Sequence, residues 1–224
     1  MIITYFRSSS YNSYTICGMQ YFLTYVLGLP SVVGKKATMG TIVHKVFECM
    51  ANAKLCHQNG TKSFKDDNLG IIKVDYEYMY GASFVQWLVD KSFNHNVDKS
   101  PHKWYPHDKK DCTEWVGNVI REKMFDPRNR IVVAAEPHFN IPIEEPWAHY
   151  SFDTPDGNKL EGQLCIKGTI DLVTKLDDHC YEIIDWKGLP LDTPIPTPNG
   201  WTTMGTISIG DKAFDQHDNQ EKDG

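Results

Sequence analysis

The feature that most constrains this chain is a change of period part-way along it. Up to about residue 125 apolar residues recur at helical spacing, and from residue 130 they alternate as strands do. Ser8-Ser9-Ser10 offers N-cap candidates for a first helix carrying Tyr14, Cys17, Phe22, Tyr25 and Val26, closed by Gly28-Leu29-Pro30. A second helix is predicted over 38–56, with Ile42, Val43, Val46, Phe47 and Met50 as its apolar face, followed by a polar loop over 58–70. A third is predicted over 75–94, with Tyr80, Phe84, Trp87 and Leu88 inward, and a fourth over 112–125. Strands are predicted over 130–143, 147–152, 160–176 and 181–187, with turns at Thr154-Pro155-Asp156-Gly157 and Asp177-Asp178. Helices followed by a meander of strands predict an α/β or α+β domain with helices against one sheet.

Composition narrows the class. The 224 residues are 41% hydrophobic and 23% charged, values of a globular chain long enough for a real core. No apolar run approaches the roughly 18–20 residues needed to span a bilayer, so no membrane association is expected. Residues 1–30 lack the pattern of a signal peptide. Cys17, Cys49, Cys56, Cys112, Cys165 and Cys180 are scattered without a C-x-x-C pair, which predicts thiols in a cytoplasmic protein. The formal charge is −6, unlike a basic nucleic-acid coat protein, but the acid is uneven. Residues 188–224 hold two lysines against six acids, which leaves −2 on residues 1–187. Four of the twelve prolines also fall beyond residue 187. A boundary is therefore expected near residue 188.

Two segments invite a chemical reading. The first, 98–110, is basic, aromatic and broken by proline. It reads either as a solvated loop or as a phosphate-backbone contact with Trp104 or Tyr105 stacking on a base. The second is the pair Gly168-Thr169-Ile170-Asp171 and Ile183-Ile184-Asp185-Trp186-Lys187. Residues i and i+2 of a strand share a side, so Asp185 and Lys187 are presented together. If the neighbouring strand brings Asp171 alongside, two carboxylates and an ammonium converge. Carboxylates of that kind hold Mg²⁺ or Mn²⁺, and a lysine beside them suits phosphodiester hydrolysis. The plainer alternative is an Asp185–Lys187 surface ion pair, worth under about 1 kcal/mol. The apolar Ile183-Ile184 before it argues for a buried strand, where an unpaired aspartate is costly.

Four blocks in order resemble the PD-(D/E)XK nuclease superfamily, in its RecB-like branch of CRISPR-associated and phage exonucleases. Ser9 to Cys17 with Tyr21 to Val26 is similar to that family's N-terminal helix. Gly40-Thr41-Ile42-Val43-His44 resembles its G-x-x-x-H helix, Gly168 to Asp171 its G-x-x-D strand, and Asp185-Trp186-Lys187 its D-x-K strand. The resemblance implies a restriction-endonuclease-like α/β core. Its helices pack on a mixed β-sheet, with an N-terminal helical part and a β-rich C-terminal tail. It implies metal ligands at His44, Asp171 and Asp185, with the Ile184 carbonyl as a fourth, and Lys187 as the catalytic lysine. Glu136 stands where the family often has a glutamate near the site. DNA is the implied substrate and Mg²⁺ or Mn²⁺ the implied cofactor. Iron–sulfur members place a cysteine where Cys17 stands and three more beyond the D-x-K strand. No cysteine follows Lys187 here. Cys17 is thus read as a buried thiol, and a cluster would need cysteines from another polypeptide.

Beyond Lys187 the family pattern of a Thr-Gly turn and a Q-x-x-x-Y helix is absent. Gly188-Leu189-Pro190-Leu191-Asp192-Thr193-Pro194-Ile195, Asn199-Gly200 and Gly210-Asp211 instead resemble the first splicing block of an intein. Such blocks open on a Cys or Ser nucleophile, and here the junction residue is Gly188, which has none. The expected domains are a nuclease over 1–187 and an intein-like tail over 188–224. The leading reading is the body of a metal-dependent DNA exonuclease, of phage origin, in recombination or DNA processing. As it lacks the C-terminal helix, the isolated chain is expected to cleave weakly. Two alternatives stay open: an inactive precursor completed by a C-terminal polypeptide, or a non-catalytic DNA-binding module.

Overall fold

The computed structural model describes residues 4–30, 33–186, 194–197, 200–203 and 206. The chain divides into two units, Met1–Trp186 and Lys187–Gly224. The first opens with strand β1 (Tyr5–Phe6), helices α1 (Ser8–Ile16) and α2 (Gly18–Tyr21) and a π-helical turn over Phe22–Val26. Then come α3 (Lys35–Asn59), a hairpin of β2 (Ser63–Asp66) and β3 (Gly70–Lys73), α4 (Ala82–Lys99) and α5 (Pro106–Arg121). The β-rich half holds β4 (Ile131–Ala135), β5 (His138–Pro142), β6 (His149–Asp153), β7 (Lys159–Gln163), β8 (Cys165–Thr169), β9 (Leu172–Lys175) and β10 (Tyr181–Ile184). In the second unit β11 (Pro194–Thr197) pairs antiparallel with β12 (Gly200–Thr203).

Helix α3 organises the first unit. Ile42, Val46, Phe47, Cys49, Met50 and Ala53 have no exposed surface, because the helix meets α4, α5 and β4 at once. Gly60 ends it in the left-handed region (φ 69°), its N–H bonding the Cys56 and His57 carbonyls as a glycine at that position can. Leu88 and Val89 of α4 and Cys112 and Val116 of α5 complete the helical side. A buried Ser92 hydroxyl is satisfied by the Ile42 carbonyl at 3.2 Å. On the other side lies the antiparallel sheet β10-β9-β4. Val132, Leu172, Thr174 and Ile184 are its inward residues. A bulge interrupts β4 between Val132 and Ala134. There the Gln58 side-chain amide takes the place of a neighbouring strand: it donates to the Val132 carbonyl (2.8 Å) and accepts from the Val132 N–H (2.9 Å). A second sheet, β1-β8-β5, is mixed, with β1 parallel and β5 antiparallel to β8.

Several sequence expectations are corrected. Segment 58–70 is not a loop throughout. Its end forms the β2–β3 hairpin, whose inward Phe64 and Ile72 are disguised by flanking lysines and aspartates. Segment 160–176 is not one long strand. Breaks at Leu164 and at Ile170-Asp171 divide it into β7, β8 and β9, in three different sheets. The alternation persists across these breaks because each piece still has one apolar side. The first helix is broken at Cys17, which is extended (φ −156°), and Tyr14, Cys17 and Phe22 are exposed. Cys17 is therefore not a buried thiol. Tyr80 is likewise exposed, and α4 begins only at Ala82.

Segment 98–110 is a docked connection. Helix α5 starts at Pro106 instead of 112, with proline in its first turn. Its buried Asp108 accepts from the Tyr105 N–H (2.7 Å) and pairs with Lys35 (2.5 Å). Trp104 packs on the core edge-to-face with Phe93, under the Lys35 ammonium. That removes it as a base-stacking platform. Tyr105 remains exposed.

Candidate metal centre

Three elements bring three ligating side chains together. His44 lies on α3 beside the buried Val43, Val46 and Phe47, at the edge of the helix face that packs on β4. Glu136 follows β4 directly. It is the non-glycine residue with a positive φ (50°) among the described residues, and there the chain turns out of β4 toward β5. Asp171 stands between β8 and β9, where its carbonyl accepts the Glu136 N–H at 3.0 Å. A strained backbone at such a corner is held only by surroundings that over-determine it. Here both changes of sheet, β4 to β5 and β8 to β9, occur at the residues carrying the two carboxylates.

One ligand atom from each of His44, Glu136 and Asp171 lies within 4.8 Å of the others. His44 Nδ1 is 3.3 Å from Asp171 Oδ2. The same oxygen accepts the Trp186 N–H at 2.8 Å. Trp186 is buried, stacks on Phe47 with ring centroids 4.8 Å apart, and its indole N–H reaches the Phe125 carbonyl (3.4 Å). It thus clamps the end of β10 onto α3 and holds the Asp171 carboxylate from below.

The electrostatics are those of a cluster of acids lacking a counter-charge. Burial pushes the Glu136 carboxyl up to about 7, and the charges of Asp171 and Glu48 push the same way against Lys45. Burial also raises Asp171, against the Trp186 N–H and His44, and the neighbouring Asp185 raises it further. A cation placed between these groups would reverse both shifts. Two carboxylates and an imidazole, partly buried and open on one side, suit a hard or borderline divalent ion. The donor set therefore fits the metal that the sequence pattern implies.

The chain does not place every predicted residue in that cluster. Asp185 is exposed and interacts with Asp171, but it is not part of the mutually close set. Ile184 is buried, paired with Leu172 at the end of β10. Lys187 and Gly188 lie outside the described residues. Cys17 belongs to no group of three or more ligating side chains among the described residues. Gly168 has a direct packing reason: a Cβ there would stand 2.4 Å from the Phe139 ring, its cross-strand partner. Sequence reasoning did not find Trp186 as a clamp. Nor did it find the group Lys45, Glu48 and Asp66 beneath the cluster. There Lys45 pairs with Glu48 and with Asp66 (3.1 Å) and ties the hairpin to α3.

The sequence pattern of the PD-(D/E)XK nuclease superfamily matches residues 8–195, most of the chain. This chain belongs to that superfamily. Its mixed architecture agrees with the superfamily's restriction-endonuclease-like fold, and its members are nucleases that use divalent metals. A short stretch is similar to proteins of another kind. Replicative DNA helicase DnaB of Mycobacterium leprae (strain TN) and that of Mycobacterium intracellulare are each 62% identical to this chain over 26 residues. Those residues are 12% of this chain and 4% of either helicase, so the chain spans a very small part of the curated relatives it matches. In the superfamily member described here, no helix among the described residues is long and apolar enough to cross a membrane.

Proposed function

We propose that this chain is the body of a metal-dependent deoxyribonuclease, an exonuclease of the RecB-like branch that acts in DNA recombination or processing. The observation that carries the reading is the convergence of His44, Glu136 and Asp171 within 4.8 Å, in a chain of a nuclease superfamily. His44, Glu136 and Asp171 would hold Mg²⁺ or Mn²⁺, with Asp185 and the Ile184 carbonyl approaching from the end of β10. An ion held there would supply a Lewis acid for the phosphoryl oxygen and would lower the pKa of a bound water. Trp186 fixes one Asp171 oxygen through its N–H, which limits how that carboxylate can turn. Burial pushes the Glu136 carboxyl up to about 7, and a bound ion would favour its carboxylate form as a ligand. Lys187, two residues past Asp185, orients the attacking water and offsets charge on the phosphorus.

A phage source and action in the host cytoplasm fit this reading. The tail from Gly188 fits an intein-like insertion. Sequencing the adjoining reading frame would show intein C-terminal blocks under this account.

The test of function is cleavage of end-labelled single- and double-stranded DNA with Mg²⁺ or Mn²⁺. The chain is assayed alone and with the polypeptide encoded downstream. Cleavage is expected to need the metal and to be lost in Asp171→Asn, Asp185→Asn and Lys187→Ala. Cleavage unchanged in these variants, or none by the completed protein, would overturn the assignment.

A further inference from the structure

Beside the metal cluster lies a cavity of about 270 Å³ lined by Arg7, His138, Phe139, Asn140, Lys167 and the Gly168-Thr169 pair. Its cationic side is built. Strand β1 runs parallel to β8 with Phe6 opposite Ile166, so the next residues, Arg7 and Lys167, emerge side by side. Both are pinned on one ring: the Arg7 guanidinium is 5.4 Å and the Lys167 ammonium 4.6 Å from the centroid of Tyr5. Among the described residues neither forms an ion pair with a carboxylate, although seven other lysine and arginine side chains do. Two like charges held on one ring, within roughly a Debye length at 0.1 M salt, repel each other unless an anion joins them. His138 completes the wall. Thr169 engages its Nδ1 at 2.8 Å, which leaves Nε2 as the other hydrogen-bonding atom of the ring.

The position of this wall relative to the cluster is set by the chain. His138 is two residues from Glu136, and Thr169 two from Asp171, and the two pairs lie on adjoining rungs of backbone contact. Two residues of chain span at most about 7 Å. That is about the spacing of successive phosphates along a nucleic-acid strand. We propose that Arg7, Lys167 and His138 form a subsite for a backbone phosphate of the DNA strand, one nucleotide step from the phosphate at the metal cluster. The subsite rests on the nuclease reading above and deepens it: it holds the strand in register while the cluster acts on the neighbouring phosphodiester. The contact is to phosphate alone, so it carries no base preference.

The test is anisotropy of a fluorescein-labelled 20-nucleotide single strand with the full 224-residue chain, titrated at several salt concentrations in Ca²⁺. The Arg7→Gln/Lys167→Gln double variant keeps aliphatic stems on Tyr5 and is checked for fold by circular dichroism. It should bind about tenfold more weakly at low salt, and its salt slope should fall by about 1.4, the value for two lost phosphate contacts on a single strand. Arg7→Lys/Lys167→Arg should restore the slope. Lys91→Gln/Lys99→Gln, which removes the same charge from α4, should leave it nearly unchanged. If the wild type binds DNA and the Arg7/Lys167 variant keeps its slope, or the α4 control loses as much, the subsite is refuted while the nuclease reading stands. If the wild type fails to bind the strand at all, the subsite is refuted, and the nuclease reading is decided separately by the cleavage assay of the completed protein.

Discussion

The two faces of the β10-β9-β4 sheet are made of similar residues and meet opposite fates. On the inner face Val132, Leu172, Thr174 and Ile184 are buried against α3. On the outer face Ile131, Val133, Tyr181 and Ile183 are all at least 45% exposed. Apolar content alone does not distinguish the faces, since β10 reads Tyr-Glu-Ile-Ile and β4 reads Ile-Val-Val-Ala-Ala. What distinguishes them is whether α3 stands opposite. The inner face is also where the chemistry sits: Phe47 of α3 supports Trp186, and Trp186 supports Asp171. Packing on that face and geometry at the cluster are one mechanical unit, and Ile131, Val133, Tyr181 and Ile183 of the outer face belong to neither.

This contrast can be broken by mutation. Phe47→Ala should destabilise the protein by about 3–5 kcal/mol, because it leaves a cavity under Trp186. Urea unfolding followed by tryptophan fluorescence would measure it. Arg128→Met should cost about 3 kcal/mol in the same assay. Arg128 is buried beside β4, binds both oxygens of the buried Asp126 and reaches the Met79 carbonyl, so its loss leaves a buried carboxylate alone. Gln58→Ala should cost about 1–3 kcal/mol, as Val132 loses partners for both its N–H and its carbonyl at the bulge. Ile183→Ala, on the outer face, should change stability by no more than about 0.5 kcal/mol. A loss at Ile183 equal to that at Phe47 would show that the outer face is also packed.

A pH effect sharpens the same contrast at the cluster. The Glu136 carboxyl is raised from 4.5 to about 7 in the folded chain without metal. Between those values the folded state binds more protons than the unfolded one, so stability falls as pH rises through that window. Glu136→Gln should make that decline shallower, leaving the share of the raised Asp171 carboxyl. Thermal unfolding of both proteins from pH 4.5 to 8 in chelator would show it, and parallel curves would contradict it.

How much of this was legible in the sequence varies with the kind of contact. Helix α3 and strand β10 were legible, because their periodic residues meet one another locally, whereas β9 was merged into one strand with β7 and β8. Asp171 and Asp185, marked by the G-x-x-D and D-x-K segments, interact because β9 and β10 are joined by a short hairpin. Glu136 was legible as a position but not as a geometry, since its place in the cluster depends on a backbone kink at φ 50° that no residue type announces. The β2–β3 hairpin was hidden because its inward Asp66 is polar. Burial raises that carboxyl, but N–H groups of Leu69 and Asn68 and the Lys45 ammonium outweigh burial and hold it below the usual range. Arg7 and Lys167 were invisible as a pair, since 160 residues separate them and only the parallel pairing of β1 with β8 joins them.

The central claim is that α3, the β4–β5 corner and the β8–β9 corner assemble one divalent-metal site. Calorimetric titration of Mn²⁺ into the 224-residue chain at pH 8 tests it most directly. The account predicts one saturable site, lost in His44→Ala and Asp171→Asn, weakened at least tenfold in Glu136→Gln, and intact in Ile183→Ala. Unchanged Mn²⁺ binding in His44→Ala and Asp171→Asn, or no binding by the wild type, would contradict it.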